Sequence, residues 1–294
     1  MIQEINKLKI GIPKGSLQEN TIKVFDSAGF YIKIMGKSYV LGINDPEIDC
    51  YLLRPQEIPK YVQEGKLDLG ISGDDWIAET KAKVTEVCDL EYAKQKIKKI
   101  KWVLAVPESS ALKSIKDLSG KIISTEIVNV AKDYLKKNKI KAKVKFSFGA
   151  TEVKPPMFAD AIIDLVETGS ALLAHNLKVL DIVMESSTKM FANKKSLKNP
   201  WKKEKIKEIS VLLKGVVESQ RMVGIFAHAP KEILEKALKV LPSSKKTTIT
   251  RVSGTDFYDI FTVSLIENAR TLLPKLKRMG CHDIVEFPLN KMIV

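Results

Sequence analysis

The stretch that decides the fold is "ADAIIDLVETGSALLAHN", residues 159–176. An apolar run typical of a strand ends in a Thr-Gly turn, and an apolar pattern typical of a helix follows at once. The same order occurs earlier, in "LDLGISGDDWIAE", residues 67–79. Both stretches share an aspartate before the strand and a small-residue turn after it: Asp68 with Ser72-Gly73, and Asp160 with Thr168-Gly169. We therefore predict an α/β fold with two similar lobes, each with a mainly parallel sheet, that face each other across a cleft.

The rest of the chain extends this division into three parts. The extended stretch at 177–194 is expected to return the chain from the second lobe to the first and to form part of a hinge. Residues 215–294 show the order βαββαβ, which is typical of a ferredoxin-like domain. The predicted domains are a first lobe (1–95 and 183–213), a second lobe (96–182) and a ferredoxin-like domain (214–294).

Composition indicates a soluble globular protein and argues against a nucleic-acid-binding one. The chain of 294 residues is 45% hydrophobic and 29% charged, as expected for a soluble globular protein. Its net charge of +14 suggests a nucleic-acid partner, but 44 of its 49 basic residues are lysines spread along the whole chain. Lysine mostly solvates surfaces, whereas arginine is favoured for reading phosphates and bases. We therefore expect no nucleic-acid partner, and a field that attracts small polyanions.

Cysteine usage and hydropathy indicate a cytoplasmic protein. The three cysteines are widely spaced and form no CxxC pair, which is typical of buried thiols in a reducing compartment. No apolar run is long enough to cross a bilayer, and the N-terminus lacks the pattern of a secretory signal. We expect no membrane partner.

The turn at 167–172 has the chemistry of a phosphate site. Backbone N–H groups after Thr168 would converge at the start of a helix, and Gly169 permits close approach of a ligand. Thr168 and Ser170 offer hydroxyl donors. The nearby carboxylates Asp160, Asp164 and Glu167 would favour sugar hydroxyls or a Mg²⁺ that bridges carboxylate and pyrophosphate. The competing interpretation is an ordinary strand-to-helix turn with a Thr or Ser cap, and the spacing alone does not decide between them.

Three other motifs give weaker signals. "GIPKGSL" (11–17) resembles a second anion site, with Lys14 and Gly15 at a helix start and Ser16 as a cap. It matches neither a dinucleotide fingerprint nor a P-loop, so capping alone is favoured. The acids of "SGDDW" (72–76) stabilise the first turn of a helix, which favours a structural role. The three histidines show no metal-binding spacing.

Four blocks of the chain together resemble ATP phosphoribosyltransferase in its long, feedback-regulated form. They are "LKIGIPKGSL", "EIPKYVQEGKLDLGISGDDWI", "GATEVKPPMFADAIIDLVETGSALLAHNLKVLD" and the C-terminal region from "HAPKEIL". The resemblance covers essentially the whole chain, and its third block is long and specific. It implies lobes similar to those of periplasmic binding proteins, followed by a ferredoxin-like regulatory domain.

The resemblance also implies a reaction. N1 of ATP attacks C1 of phosphoribosyl pyrophosphate in the presence of Mg²⁺, giving phosphoribosyl-ATP and pyrophosphate. Histidine is the implied inhibitor, bound by the C-terminal domain, and the subunits are expected to form dimers that assemble into hexamers.

The residues expected to carry these roles fall into three groups. Asp164 and Glu152 are the expected catalytic residues, and His228 and Thr248 are the expected effector contacts. The expected substrate-binding residues are Lys14, Gly15, Arg54, Asp160, Glu167, Thr168, Gly169, Ser170, Ala171 and Leu172.

Two rival functions remain open from the residues alone. Two lobes on a hinge also suit a non-enzymatic bilobal protein that captures a small ligand, although the sequence lacks a secretory signal. A ligand-sensing DNA-binding regulator would suit the positive charge, but no helix-turn-helix pattern is recognisable.

Overall fold

A computed structural model of the chain describes residues 6–34, 36, 38–90, 100–166, 169–241 and 247–293. The chain forms two compact units. The first consists of Met1–Lys23 and Phe30–Ser210, and the second of Val24–Gly29 and Val211–Val294.

The first unit contains two sheets. The first sheet has the strand order β2-β3-β4-β1-β5-β12-β6 and the second has the order β11-β7-β10-β8-β9. The first-sheet strands are β1 (Leu8–Pro13), β2 (Ile32–Lys33), β3 (Val40–Ile43), β4 (Ile48–Leu53), β5 (Leu69–Gly73), β6 (Thr85–Asp89) and β12 (Thr188–Ala192). The second-sheet strands are β7 (Ile100–Pro107), β8 (Ile122–Thr125), β9 (Lys143–Phe146), β10 (Ala161–Val166) and β11 (Leu177–Ser186).

Helices follow strands of both sheets. Those that begin in the first unit are α1 (Gln18–Ala28), α2 (Ile58–Gln63), α3 (Asp74–Thr80), α4 (Val128–Lys137), α5 (Ser170–Ala174) and α6 (Pro200–Ser219). The helix α1 ends where the sequence predicts, before Gly29, whose φ of +101° is the left-handed conformation that glycine adopts most easily. Among the described helices, none combines the length and apolar character that a bilayer crossing needs.

In each lobe, the turns that follow the parallel strands lie at one edge of the sheet. In the first sheet β1 pairs in parallel with β4 and β5, and in the second β8 pairs in parallel with β9 and β10. Because parallel strands end at the same edge, the turns that follow them lie side by side, where open α/β sheets commonly bind ligands. The turns after β8, β9 and β10 therefore share one edge of the second lobe.

The aspartates that precede β5 and β10 have the same structural role. Asp68 accepts a hydrogen bond from the backbone N–H of Lys9 at 2.9 Å, and Asp160 accepts one from that of Ile122 at 2.8 Å. Each carboxylate thus ties the start of its strand to the start of the parallel neighbour. The sequence similarity between the two stretches reflects this shared device.

The chain returns from the second sheet to the first at Ser187. The strand β11 stays paired with β7 as far as Ser186, and β12 starts to pair with β5 at Thr188. The domain boundary predicted between residues 182 and 183 therefore falls inside a strand of the second lobe and is wrong by four residues. The crossing falls in a short polar stretch, residues 185–189, between apolar parts of the two strands.

The second unit contains a four-stranded antiparallel sheet covered by helices. Its strands are β13 (Met222–Pro230), β14 (Thr248–Arg251), β15 (Phe257–Leu265) and β16 (His282–Pro288), in the order β14-β15-β13-β16. Its helices are α7 (Leu234–Val240) and α8 (Ile266–Arg278). Buried residues of β13, α7 and α8 form one core cluster. This is the predicted βαββαβ topology, and the predicted fold class is confirmed.

Candidate active site

The turn between β10 and α5 is open. Gly169 caps α5 with φ +81°, a conformation that side chains rarely tolerate. Among the described residues, a Cβ at Gly169 would have only Val166 Cγ1 near it, at 4.0 Å, so none of them fills the space above Gly169. Ser170 and Ala171 are exposed and Leu172 is buried against the sheet. Glu167 and Thr168, both predicted at the site, lie outside the described residues.

Asp164 has a strongly raised pKa and lies at the same edge of the second lobe as the turn. It lies on β10, two residues before the end of the strand, and is partly buried. Its pKa is raised to about 6, mostly by burial and in smaller part by the negative charges of Glu152 and Glu126. The backbone N–H of Leu165, which donates to Asp164 Oδ1 at 2.9 Å, and the positive charge of Lys154 oppose this rise in pKa. A carboxylate in this position gains most from a ligand that brings hydroxyl donors or positive charge.

Glu152 is held beside Asp164 by a short structured loop. It lies in a single 3₁₀ turn, Thr151–Val153, that follows Ala150 in the left-handed conformation. The loop is tied together by a hydrogen bond of 2.8 Å between the hydroxyls of Ser147 and Thr151, and by one that the Lys154 ammonium donates to Ser147. The second lobe thus gathers Glu126, Glu152, Asp164 and Lys154 near the open turn.

The first lobe brings two cations to its own edge. Lys14 follows β1 and Arg54 follows β4, and the backbone N–H of Lys14 donates to the carbonyl of Leu53 at 2.7 Å. Lys14 also donates to the Tyr39 hydroxyl at 3.1 Å and lies over the Tyr39 ring. Both cations are exposed, and Gly15 beside Lys14 has φ +95°. The structure therefore brings Lys14, Gly15 and Arg54 together, as expected.

The turn between β5 and α3, in contrast, is filled. The carboxylate of Asp75 lies over Gly73, where a Cβ would collide with its Oδ1 atom. Asp75 Oδ1 accepts from the backbone N–H of Trp76 at 2.9 Å, and Oδ2 accepts from the indole N–H of Trp102 at 2.8 Å. Asp75 is 2% exposed, and burial raises its pKa. The structural role predicted for the acids of "SGDDW" agrees with this position.

Asp160 does not join the open turn. It precedes β10, whereas the turn follows β10, so a strand of six residues, roughly 20 Å long, separates them. Its carboxylate accepts from the Ile122 N–H and lies 3.7 Å from the ammonium of Lys121. Asp160 therefore has a structural role at the start of β10, and the substrate-binding role predicted for it stays a prediction.

The carboxylates of the second-lobe edge suit a cation that a substrate carries. Within the described ranges, no three His, Cys, Asp or Glu side chains converge as metal ligands. Mg²⁺ commonly binds through one or two carboxylates together with substrate phosphates and waters. Asp164, whose pKa is raised mainly by burial and also by the nearby charges of Glu152 and Glu126, fits that pattern.

Comparison with known proteins matches both units. The family model for ATP phosphoribosyltransferase (HisG) matches residues 54–215, more than half of the chain, and the model for the HisG C-terminal domain matches residues 219–291. The ATP phosphoribosyltransferase of Solibacter usitatus is 47% identical over 287 residues, which cover 98% of this chain and 99% of that protein. That of Chlorobium phaeobacteroides is 46% identical over 98% of both chains.

The chain belongs to the ATP phosphoribosyltransferase family. The match to the C-terminal domain agrees with the long form, and the expected family and enzyme class are confirmed. A solved structure, the ATP phosphoribosyl transferase (HisG:HisZ) complex of Thermotoga maritima, is 24% identical and superposes with a TM-score of 0.60. That match covers 70% of this chain and 98% of the other chain, and it supports the fold alone.

The residues expected to contact an effector lie on one face of the C-terminal sheet of this phosphoribosyltransferase. His228 Nε2 lies 3.0 Å from Asp259 Oδ1, and His228 Nδ1 lies 3.2 Å from Asp283 Oδ2. The register places Thr250, rather than Thr248, in the row of Asp259 and His228. Thr248 lies two residues further along the same face, because side chains alternate along a strand. Thr248, predicted to contact the effector, therefore lies two residues along the strand from the position that faces Asp259 and His228.

The sequence did not point to two charged residues at the edge of the second lobe, Glu126 and Lys154. Glu126 follows β8, and its pKa is raised by burial, with Lys154 opposing that rise and Glu152 adding to it. Both residues are close to Asp164, yet they lie 38 and 10 positions away from it in the chain. The available signal was the position of Glu126 at the end of a predicted parallel strand, next to the strand that carries the turn.

Proposed function

We propose that this phosphoribosyltransferase transfers the phosphoribosyl group of phosphoribosyl pyrophosphate to N1 of ATP and releases pyrophosphate. The family assignment supports the reaction class. The open turn after β10 is the structural observation that supports locating the substrate site in the second lobe. Gly169 there leaves backbone groups accessible, beside the carboxylates of Asp164, Glu152 and Glu126. Together these features suit a sugar phosphate.

The second lobe would bind the phosphoribosyl group. The backbone N–H groups at the start of α5 and the Ser170 hydroxyl would hold the 5-phosphate, with Ala171 and Leu172 continuing the turn. Glu167 and Thr168 complete this proposed cradle. Asp164 and Glu152 would accept hydrogen bonds from the ribose hydroxyls, which places the anomeric carbon near the edge of the lobe.

The two carboxylates would also act on the transition state. As the bond from C1 to the pyrophosphate oxygen breaks and N1 of adenine approaches, positive charge develops at C1 and the ring oxygen. Negative charge fixed beside the ribose stabilises that charge without any proton transfer. We therefore assign catalysis to positioning and charge stabilisation, with Asp164 and Glu152 as the residues that carry it.

The first lobe would bind the triphosphate of ATP or the departing pyrophosphate. Lys14 and Arg54 are exposed cations on one edge, and Gly15 in its left-handed conformation leaves the backbone accessible between them. Arg54 can bind a phosphate in bidentate fashion, whereas Lys14 acts as a point charge. The cofactor that suits this chemistry is Mg²⁺, which would be held by Asp164 and the pyrophosphate and would stabilise the charge of the leaving group.

Regulation and assembly are the further parts of the proposal. Histidine would bind on the sheet face that carries His228, where Asp259 and Asp283 offer carboxylates to its ammonium and imidazole groups. We propose that the C-terminal domain begins near residue 214 and that the first lobe resumes at residue 187. The subunits would form homodimers that assemble into hexamers. The cytoplasmic location stays a prediction.

The reaction is tested by incubating the protein with ATP, phosphoribosyl pyrophosphate and Mg²⁺ and measuring release of pyrophosphate. The expected product is ATP with an added phosphoribosyl group, seen by mass spectrometry, and it should form more slowly when histidine is added. Omitting ATP gives the control for hydrolysis. Pyrophosphate release that does not depend on ATP would contradict the proposal.

A further inference from the structure

The helix α3 connects the two lobes through both of its ends. It begins at Asp74, directly after β5 of the first sheet. At this end, Asp74 and Ser187 exchange two hydrogen bonds of 3.0 and 3.1 Å, and the backbone N–H of Asp75 donates to the Ser186 hydroxyl at 3.3 Å. The start of α3 is therefore fixed to the point where the chain crosses between the sheets.

The buried Asp75 adds a direct link to the second lobe. Its carboxylate accepts from the indole N–H of Trp102, which lies on β7, and the rings of Trp76 and Trp102 pack edge to face at 6.1 Å. Asp75 and Trp102 are 2% and 3% exposed. This contact lies beside the crossing strand, so a rotation of the lobes about the crossing would move it little.

One helical turn later, Glu79 makes the contact that such a rotation would break. Its Oε2 atom accepts from the backbone N–H groups of Asn129 and Val130 at 2.8 and 3.0 Å. Its carbonyl accepts from the side-chain amide of Asn129 at 2.9 Å. These amides belong to the first turn of α4, which has no side-chain cap of its own. The first lobe thus supplies the cap of a helix in the second lobe.

We propose that Glu79 is a positioning residue that latches the two lobes, so that the two substrate-binding edges are held at the separation the reaction needs. The inference rests on the proposed function, because it assumes that each edge binds one substrate. Both α3 and α4 start at these edges, after β5 and shortly after β8. A latch between them therefore acts directly on the distance across the cleft.

The test compares Glu79→Ala with Asp117→Ala. Asp117 accepts from the backbone N–H groups of Lys113 and Ser114 at 3.0 and 2.9 Å, so its removal also leaves two amides without a cap. All of these contacts lie within the second lobe. Glu79→Gln keeps an acceptor oxygen at the same reach, and Glu79→Asp keeps the charge but shortens the side chain.

The first readout is the distance between the lobes in the full-length protein. The three native cysteines are buried, so spin labels on cysteines introduced at exposed Lys60 and Lys145 report on the first and second lobe. Diluting labelled with unlabelled subunits suppresses distances between copies. Glu79→Ala and Glu79→Asp should broaden the distance distribution, whereas Glu79→Gln and Asp117→Ala should keep that of the original protein. An unchanged distribution in Glu79→Ala overturns the latch.

The second readout is the steady-state kinetics. Because misplacement by about 1 Å can cost up to a hundredfold in rate, Glu79→Ala should lower kcat by about tenfold while each KM changes by less than about threefold. Glu79→Gln should recover most of this loss. An equal effect of Asp117→Ala on kcat would show that lost capping rather than lobe position is responsible, and would overturn the proposal. If the original protein lacks transferase activity, the proposed function fails, while the distance measurement still decides the latch.

Discussion

The two lobes repeat one motif and use it in opposite ways. In both, an aspartate ties the start of a strand to its neighbour, and a glycine caps the helix that follows the strand. In the first lobe, the second helical residue is Asp75, whose carboxylate fills the turn above Gly73. In the second lobe, the second helical residue is Ala171, and the turn at Gly169 is open.

The difference shows how one turn can become structural and the other available to a ligand. Asp75 places its own negative charge where a helix start attracts anions, and Trp102 fixes it there. Ala171 leaves that position to an anion from solution. A single side chain at the second helical residue therefore separates a lobe connection from a candidate phosphate site.

The largest effect is expected from closing the open turn with Gly169→Val. Valine would strain the backbone at φ +81° and place methyl groups over the phosphate position. Loss of two charge-assisted hydrogen bonds, at about 1.5–3 kcal/mol each, corresponds to at least roughly a hundredfold weaker binding of phosphoribosyl pyrophosphate. Isothermal titration calorimetry measures this affinity.

The matched control for that experiment is Gly120→Val. Gly120 has φ +79°, and a Cβ added there would meet no atom of the described residues within 4 Å apart from its chain neighbours, so valine imposes the same backbone strain outside the candidate site. Affinity should stay as in the original protein. Equal losses of affinity in the two variants would mean that strain, not access to the turn, is responsible.

A smaller loss of affinity is expected when an aspartate, the residue that fills the first-lobe turn, is introduced into the second-lobe turn. Ala171→Asp would place a carboxylate at the position that Asp75 has in α3, and repulsion from the substrate phosphate should weaken binding by about tenfold. Ala174→Asp adds the same charge to the exposed far end of α5 and should weaken binding less. If Ala171→Asp bound phosphoribosyl pyrophosphate as tightly as the original protein, the two turns would not be comparable.

The sequence predicts the repeated motif because periodicity and glycine position are local properties. It predicts the strand before each turn and the βαββαβ order of the C-terminal unit for the same reason. It does not predict that Asp75 fills its turn, because that depends on Trp102, which is 27 positions away. Nor does it place Glu126 and Lys154 beside Asp164, since their approach follows from strand order. Nor does the sequence show that Asp160 lies away from the turn at Gly169, because residues close in sequence can lie at opposite ends of a strand.

Replacing the carboxylate in the first turn should affect stability more than binding. Asp75→Asn offers one acceptor oxygen to two donors, the Trp76 N–H and the Trp102 indole. Leaving one of them without an acceptor should lower the free energy of unfolding by about 1–3 kcal/mol. Asp74→Asn, which keeps an acceptor for the Ser187 N–H, should change it by less than about 0.5 kcal/mol. Urea denaturation distinguishes these outcomes; no loss in Asp75→Asn would show that its contacts do not stabilise the connection.

The smallest effect concerns the pH dependence of stability at Asp164. Its pKa is raised from 3.8 to about 6 in the folded protein, so its contribution to stability is present below pH 3.8 and is lost as the pH rises through 6. Asp164→Asn removes this loss and should raise Tm relative to the original protein at pH 8 but not at pH 4. After discounting for partial exposure, we expect a difference of about 1 kcal/mol, or roughly 2–4 °C. A Tm difference that is the same at both pH values would contradict the assigned cause.

The central claim, that the second-lobe turn binds the phosphate while the first-lobe turn is already occupied, is tested most directly by hydrogen–deuterium exchange with ribose 5-phosphate. This ligand carries the sugar and its phosphate without the pyrophosphate, so it probes one lobe only. Peptides that cover residues 166–174 and 70–78 report on the two turns. We predict slower exchange in the 166–174 peptide and no change in the 70–78 peptide. Protection of the 70–78 peptide without protection of the 166–174 peptide would contradict the account.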